Sequence, residues 1–302
     1  MTQRTNLFSR RAVVIAASLV STTAIAMTNA VSSQAATFTP FSFQTNVTAS
    51  PPIEPASGLL NDPTKDIRLD SIVFGGGTIN QFEVVSDAKV LRNDTYTLPD
   101  GSVYGVLHSG RGPNTASDPL IGEGPSKPNP TDQDIVGSLG NLNLNSILVT
   151  RENANTASIE VSFANPVSLF FFWERGGTAG GTTAGDSDLL VEALSDDRST
   201  VLASYKILRA NYTKADYNIS TQVIPVLNNG PFNLGSIGLR LDDGATKTLR
   251  LTSSNNNLGA LGGDNGPDFK VVAAVPEPFT MTGALVAGGL GLMLKKRKKV
   301  TA

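Results

Sequence analysis

The sequence predicts an all-β protein, an antiparallel β-sandwich of jelly-roll type flanked by a signal peptide and a C-terminal transmembrane sorting helix. Three observations support this prediction: short segments of alternating apolar and polar residues, turn residues between them, and an apolar run near each end. Cysteine is absent from the 302 residues. An exported domain of this composition therefore depends on packing, hydrogen bonds or bound ions instead of disulfides.

The alternation is clearest in residues 157–163, where Ile159, Val161 and Phe163 point to one side and serine and glutamate residues to the other. This pattern is typical of a strand that covers a core with one face. Further strands are predicted at residues 103–107, 189–194, 201–208, 236–241, 247–251 and 269–273.

Glycine and proline predict how some strands are connected. Residues 67–74 end at Gly75-Gly76-Gly77 and are predicted to form a hairpin with 78–85. Asn165-Pro166 is predicted to be a turn before the apolar run 167–173, because proline cannot continue a central strand.

One helix is predicted after a long loop. Residues 109–130 contain five prolines and four glycines and are predicted to form an exposed loop within a single domain, residues 36–274. The alternative is that this stretch separates two subdomains. Thr131 and Asp134 then match a capping box, and Gly140 would end the helix that follows.

The N-terminal residues 1–35 have the composition of a signal peptide. Three arginines precede the apolar stretch 12–27, and small residues suitable for signal peptidase follow. Cleavage is expected after Ala35 or Ala36, with Ala30 as the competing position. The paired arginines leave the twin-arginine route open, although the general secretory route is favoured because the rest of the twin-arginine consensus is missing.

The C-terminal residues 275–302 contain three parts in a fixed order. Pro276, Glu277 and Pro278 precede sixteen uncharged, mostly apolar residues, 279–294. As a helix these would be about 24 Å long, which barely spans roughly 30 Å of hydrocarbon. The tail that follows would stay in the cytoplasm, since it consists of five cations: Lys295, Lys296, Arg297, Lys298 and Lys299.

This ending resembles the PEP-CTERM sorting signal of bacteria that carry an exosortase. The resemblance implies that exosortase recognises Pro276, Glu277 and Pro278 and removes the helix and tail. It also implies a transient single-pass inner-membrane precursor and a mature product at the cell surface or outside the cell. The alternative is an ordinary membrane anchor, although such anchors are usually longer.

The body resembles the cyanobacterial exosortase-dependent surface proteins. The residues that carry this resemblance are Phe171–Gly176, Ser187–Val191, Asn265–Val272 and the alternating run Asn141–Asn145. It implies a surface or matrix protein without a known catalytic activity, so it contributes no catalytic residues.

The charge distribution narrows the classes of partner. The chain has 24 basic and 26 acidic residues, but three of the basic residues lie in 1–35 and five in 295–299, where no acid is present. Residues 36–294 are therefore acidic, with 16 basic residues against 26 acidic ones. A body of this charge is repelled by phosphates, which excludes nucleic acid as an expected partner.

Sugar chemistry is the first alternative function. Trp173 could stack on a sugar ring beside Glu174 and Arg175, as in a carbohydrate-binding module, with Tyr104, Tyr212 and Tyr217 as further aromatic candidates. A glycoside hydrolase would need a second carboxylate, Asp186 or Asp188, facing Glu174. In the simpler interpretation, Trp173 belongs to the core. His108, the only histidine, is expected to be exposed at a strand end and to have no catalytic role.

Calcium is the cofactor for which the sequence offers ligands. Glycine-rich loops contain carboxylates that could bind a hard cation: Asp186, Asp188, Asp242, Asp243, Asp264 and Asp268. The competing interpretation is that Asp and Gly are simply preferred in turns. The sequence as a whole favours a non-enzymatic surface or matrix protein that meets exosortase and signal peptidase during export, and extracellular polysaccharide afterwards.

Overall fold

Antiparallel strands make up most of the chain, as the alternating pattern predicts. The structure, a computed structural model, describes residues 36–50, 66–98, 100–112, 124–150, 155–176, 188–223, 232–254 and 266–275. All of these belong to a unit that begins at Ala35. The predicted signal peptide and the sorting signal after Val275 lie outside the described residues and stay predictions.

The described strands follow one another along the chain with few other elements between them. They are β1 (Thr37–Phe41), β2 (Gln44–Ser50), β3 (Asp66–Phe74), β4 (Gly77–Ile79), β5 (Phe82–Glu83), β6 (Asp87–Asn93), β7 (Thr95–Thr97), β8 (Val103–Gly105), β9 (Leu107–Arg111), β10 (Lys127–Pro128), β11 (Leu148–Thr150), β12 (Thr156–Val167), β13 (Leu169–Arg175), β14 (Leu189–Leu194), β15 (Val201–Ile207), β16 (Thr213–Ile219), β17 (Gln222–Val223), β18 (Phe232–Asp242), β19 (Thr246–Ser254) and β20 (Asp268–Ala274). Helix α1 (Asp132–Leu139) lies between β10 and β11, and a short 3₁₀ turn covers Arg209–Asn211.

The strands form three sheets and one separate pair, β7–β8. The central sheet has the order β1-β18-β13-β20-β11-β9-β10, with β5, β16 and β17 pairing at its margins. The outer sheet has the order β15-β14-β19-β12-β6, and the small sheet has the order β2-β3-β4. The named pairings are antiparallel.

The main core lies between the outer sheet and one face of the central sheet, here called the first face. Ile159, Val161 and Phe163 of β12 contribute to it, together with Phe170 and Phe172 of β13. The polar residues between them on β12 point away from this core, as the alternation predicts. Each large apolar side chain buried in this way contributes about 1.5–3 kcal/mol to stability.

A second core covers the opposite, second face of the central sheet. Phe171 and Trp173 point to this side, where they meet Leu69 and Ile72 of the small sheet. Because the central sheet is covered on both faces, β13 can be apolar at successive positions. This explains the uninterrupted run of aromatic residues at 170–173.

The predicted turn at Asn165-Pro166 is wrong. Strand β12 continues through both residues to Val167, and the next strand begins at Leu169 after Ser168. The register against β19 shifts between Ser162 and Val167, so the proline lies at an irregular, exposed part of the strand. Proline is tolerated there because a bulge leaves its missing N–H without a required partner.

The predicted exposed loop at 109–130 is partly strand. Ser109 pairs with Lys127 in the β9–β10 ladder, and residues 113–123 lie outside the described part of the chain. The expectation that His108 is exposed is also wrong. Its side chain is buried in β9, and its Nε2 lies 3.2 Å from the hydroxyl of Tyr96.

The predicted helix is confirmed with its caps. The Thr131 side chain accepts a hydrogen bond from the Asp134 backbone at 3.3 Å, and the Asp134 carboxylate accepts from the Thr131 backbone at 3.0 Å. Burial alone would raise the pKa of Asp134, but hydrogen bonds from Lys127 and Thr131 outweigh it and lower that pKa. Gly140 ends the helix, as predicted.

The predicted hairpin after residue 74 is also present, with a shorter second strand. β3 pairs with β4, and the turn between them contains Gly75 and Gly76 at φ values of 60° and 80°. Residues other than glycine rarely adopt this left-handed backbone conformation, which explains the glycine run.

Candidate functional site at the loop end of the central sheet

Three of the four segments that carry the surface-protein resemblance meet in space. Trp173 of β13 lies directly opposite Lys270 of β20. Arg175, the last residue of β13, contacts Asp268, the first residue of β20. Asn141, which follows α1, contacts Lys270. We call four residues on the second face the polar cluster: Asn141, Arg175, Asp268 and Lys270.

The alternating run Asn141–Asn145 connects three parts of the fold. The backbone of Leu142 and Leu144 bonds with Leu69 and Ile67 of β3 at 2.9 and 2.8 Å, while both leucine side chains pack in the second core. The Asn145 side chain accepts from the Ile67 backbone at 2.7 Å and donates to the Ser220 carbonyl at 2.6 Å. The asparagines therefore satisfy buried backbone groups that a regular sheet does not reach.

Lys270 is the most unusual residue of the polar cluster, because its side chain is fully buried. Its Nζ donates to the Ser138 carbonyl at 2.7 Å, to Asn141 Oδ1 at 2.8 Å and to the Ser146 carbonyl at 3.0 Å. All three partners are neutral oxygen atoms. Burial therefore lowers the pKa of Lys270 well below its usual value.

Arg175 and Asp268 form a buried ion pair at the end of the same face. Arg175 donates through Nη2 at 2.6 Å and through Nε at 2.9 Å to one carboxylate oxygen of Asp268. The side chains are only 6% and 14% exposed, and the guanidinium also lies 4.6 Å from the centroid of the Phe232 ring. The pair fixes the end of β13 against the start of β20.

Two of the predicted hydrolase carboxylates lie near one buried phenol. Burial raises the pKa of Tyr212 well above its usual value, and the negative charges of Glu174 and Asp188 raise it further. Both carboxyl groups are themselves buried, and Asp188 accepts a hydrogen bond from the Arg209 backbone at 3.3 Å. A glycosidase needs space between its carboxylates for the sugar and a water molecule, and this packing does not favour that role.

The structure places Trp173 in the second core and not at a sugar-binding surface. The ring is fully buried, its Nε1 donates to the Thr45 hydroxyl at 3.1 Å, and Phe43 packs edge-on with a centroid distance of 5.5 Å. Tyr212 and Tyr217 are also buried. Trp173 is therefore a core residue, as in the simpler interpretation. The prediction that its ring offers a stacking face for a sugar is wrong, because the ring is not exposed.

The predicted calcium ligands fall at two ends of the sandwich. Asp188 and Asp268 lie near the polar cluster, whereas Asp242 ends β18 at the opposite end and Asp243 follows it. Asp242 accepts hydrogen bonds from Thr39 and from Arg240, the latter at 2.6 Å. These pairings occupy the oxygens that a cation would need.

No group of three His, Asp or Glu side chains within the described ranges could hold a metal ion. Asp186 and Asp264 lie outside these ranges, so calcium binding stays a prediction. Its test is whether calcium or a chelator shifts the melting temperature.

An open cavity of about 360 Å³ lies away from the polar cluster. Its lining combines cations and hydroxyls with one aspartate and one aromatic ring: Ser162, Phe163, Asp196, Arg198, Lys247 and Thr248. Arg198 also contacts Asp87 and Glu160, at 3.4 and 3.6 Å. The charge of Arg198 is therefore largely balanced by neighbouring acids.

In the part of the chain that the structure describes, no helix is both long and apolar enough to cross a bilayer. Comparison of the chain with protein-family models and with curated proteins finds no match.

The sequence indicated most members of the polar cluster but not their partners. The contact between Lys270 and Asn141 could not be predicted, because 128 residues separate them in the chain. The available signal was a lysine in the apolar strand segment Phe269–Ala273, since a lysine there must find oxygen partners when both sheet faces are covered.

Proposed function

We propose that this chain is an exported, non-enzymatic protein of the cell surface or extracellular matrix, with a body of jelly-roll type and a structural or adhesive role. An N-terminal signal peptide would direct export, and exosortase would process the precursor at Pro276, Glu277 and Pro278. The three-part C-terminal sequence and the acidic, cysteine-free body support this proposal.

The observation that carries the proposal is the position of strand β20 relative to the motif in the sequence. Strand β20 ends at Ala274, two residues before Pro276, and it lies between β13 and β11 in the central sheet. The Val275 backbone still donates to the Gln81 carbonyl at 3.2 Å. Cleavage at the motif would therefore remove no described strand.

The first residue of β1 and the last residue of β20 lie at the same end of the central sheet. Thr37 pairs with Asp242, and Ala273 pairs with Phe170, so the start of β1 and the end of β20 lie at one end of the sheet. The Arg175–Asp268 pair lies at the other end, about 20 Å away along the seven residues of β20. An anchored precursor would therefore present the polar-cluster end away from the membrane.

The experiment is the substitution Glu277→Ala in the full chain, expressed in an exosortase-containing host. Glu277 provides the only charge of the triplet, so we expect the unprocessed precursor to accumulate in the membrane fraction. Asp196→Ala is the matched control, because it removes one exposed surface charge without touching the motif. Normal processing and location of the Glu277→Ala protein would contradict recognition of the triplet.

A further inference from the structure

The side-chain amine of Lys270 and the side-chain amide of Asn141 are in direct contact. The amine Nζ lies 2.8 Å from Asn141 Oδ1. A carbonyl bond is about 1.23 Å long, so the amide carbon Cγ lies no more than about 4.0 Å from Nζ. The amine is fully buried, and the contact joins the segment after α1 to the last described strand.

The surroundings favour the nucleophilic form of the amine. Burial lowers the pKa of Lys270, and among the described residues its hydrogen-bond partners are neutral oxygens, so the neutral form is accessible. A neutral amine has two N–H groups, and the carbonyls of Ser138 and Ser146 can accept both. As an ammonium group, Nζ donates its third proton to Asn141 Oδ1 at 2.8 Å; when this proton is lost, the lone pair that remains lies on the Asn141 side.

The amide is oriented and polarised by its neighbours. The Asn143 backbone N–H donates to Asn141 Oδ1 at 2.9 Å, where negative charge would develop during attack on Cγ. Asn141 Nδ2 donates to the carbonyls of Gly137 at 2.7 Å and Ser138 at 3.3 Å, which fixes which side of the amide is nitrogen. The carbonyl oxygen of Ser138 contacts both Nζ, at 2.7 Å, and Nδ2, at 3.3 Å.

We propose that Lys270 and Asn141 form an intramolecular isopeptide bond. The lone pair of Nζ attacks Cγ, the Nζ–Cγ bond forms and the Cγ–Nδ2 bond breaks. One proton of Nζ passes to the departing Nδ2, which leaves as ammonia together with its own two protons. The product is a neutral secondary amide, and no oxidant, metal or cofactor is consumed.

The bond would do what a disulfide does in other exported domains. It closes a loop of about 130 residues, and long closed loops restrict the unfolded chain most. Lys270 lies five residues before Val275, so a pull on the C-terminal anchor could detach only the last residues of β20. The chain contains no cysteine that could supply this protection.

Mass spectrometry of the native product, recovered from its host and compared with the mass calculated for its own termini, tests the bond. We expect an intact mass lower by ~17 Da, the mass of the lost ammonia. Complete denaturation and trypsin digestion should release a branched peptide that joins Asn141 to Lys270, uncut after Lys270. Separate peptides with unmodified Asn141 and Lys270 would overturn the proposal.

Variants separate the covalent bond from simple hydrogen bonding. Lys270→Met and Asn141→Ala should each restore the full calculated mass, whereas Lys214→Met, at an exposed lysine, should retain the loss. We also expect Lys270→Met to lower the melting temperature by about 5–15 °C. If this variant does not fold, the tryptic peptides of the wild-type protein still show whether Asn141 and Lys270 are joined. The result is independent of C-terminal processing, because both residues precede the sorting motif.

Discussion

The two faces of the central sheet are stabilised in different ways. The first face meets the outer sheet through side chains that are almost all hydrocarbon, such as Phe172 and Val271. The second face combines the aromatic contacts of Phe171 and Trp173 with buried polar groups, above all Lys270. The first face therefore contributes stability through buried area, whereas the second also fixes which segments lie side by side, because each buried polar group needs a particular partner.

The largest expected effect is on the first face. Phe172→Ala removes a fully buried ring and should lower the free energy of unfolding by about 3–5 kcal/mol. Leu208→Ala is the control, because Leu208 is 40% exposed and should change stability by no more than about 0.5 kcal/mol. Urea unfolding measures both variants, and equal effects would show that the first face is not a packed core.

The second face is tested by breaking its ion pair. Asp268→Ala leaves the buried guanidinium of Arg175 without its carboxylate and should cost about 3 kcal/mol. The double variant Arg175→Met/Asp268→Ala removes both charges, so it should recover part of that loss in the same urea measurement. A double variant at least as unstable as the single one would show that the unpaired charge is not the cause.

The close packing of the second face is tested at Gly238. A Cβ added there would lie 2.2 Å from the ring of Phe41, so Gly238→Ala should lower stability by about 1–3 kcal/mol. Gly77→Ala is the matched control, since its nearest described neighbour is a carbonyl at 3.8 Å and we expect little change. Thermal unfolding distinguishes the two, and a Gly238→Ala protein as stable as the control would contradict this packing.

The smallest effect concerns alkaline pH. The folded state raises the pKa of Tyr212 well above 10.0, the value expected in the unfolded chain. Above about pH 10 the unfolded state therefore binds fewer protons, and stability falls by about 1.4 kcal/mol per pH unit for this group. Tyr212→Phe should reduce this fall between pH 10 and 11, measured by urea unfolding, and should leave the pH dependence near pH 7 unchanged. An identical alkaline slope would contradict the burial of Tyr212 as its cause.

Much of the first face could be predicted from the sequence. Period-two alternation places β12 correctly because one of its faces is polar, and the capping residues place α1 because their hydrogen bonds are local. Strands β14 and β20 also match their predicted positions to within a residue or two.

The second face could not be predicted in the same way. An uninterrupted apolar run does not reveal which face each side chain occupies, so Trp173 could be interpreted either as a core residue or as a sugar-stacking one. The partners of Lys270 and Arg175 are distant in the chain and are joined only by tertiary packing. The burial of His108 could not be predicted, because its strand continues into a segment whose glycines and prolines are typical of loops.

The central proposal, that exosortase would cut the precursor at the motif just after strand β20, is tested most directly by the C-terminus of the mature native product. Intact-mass measurement combined with C-terminal peptide sequencing should find a chain that ends within Pro276–Pro278. A native product that still carries residues 279–302 would contradict the claim.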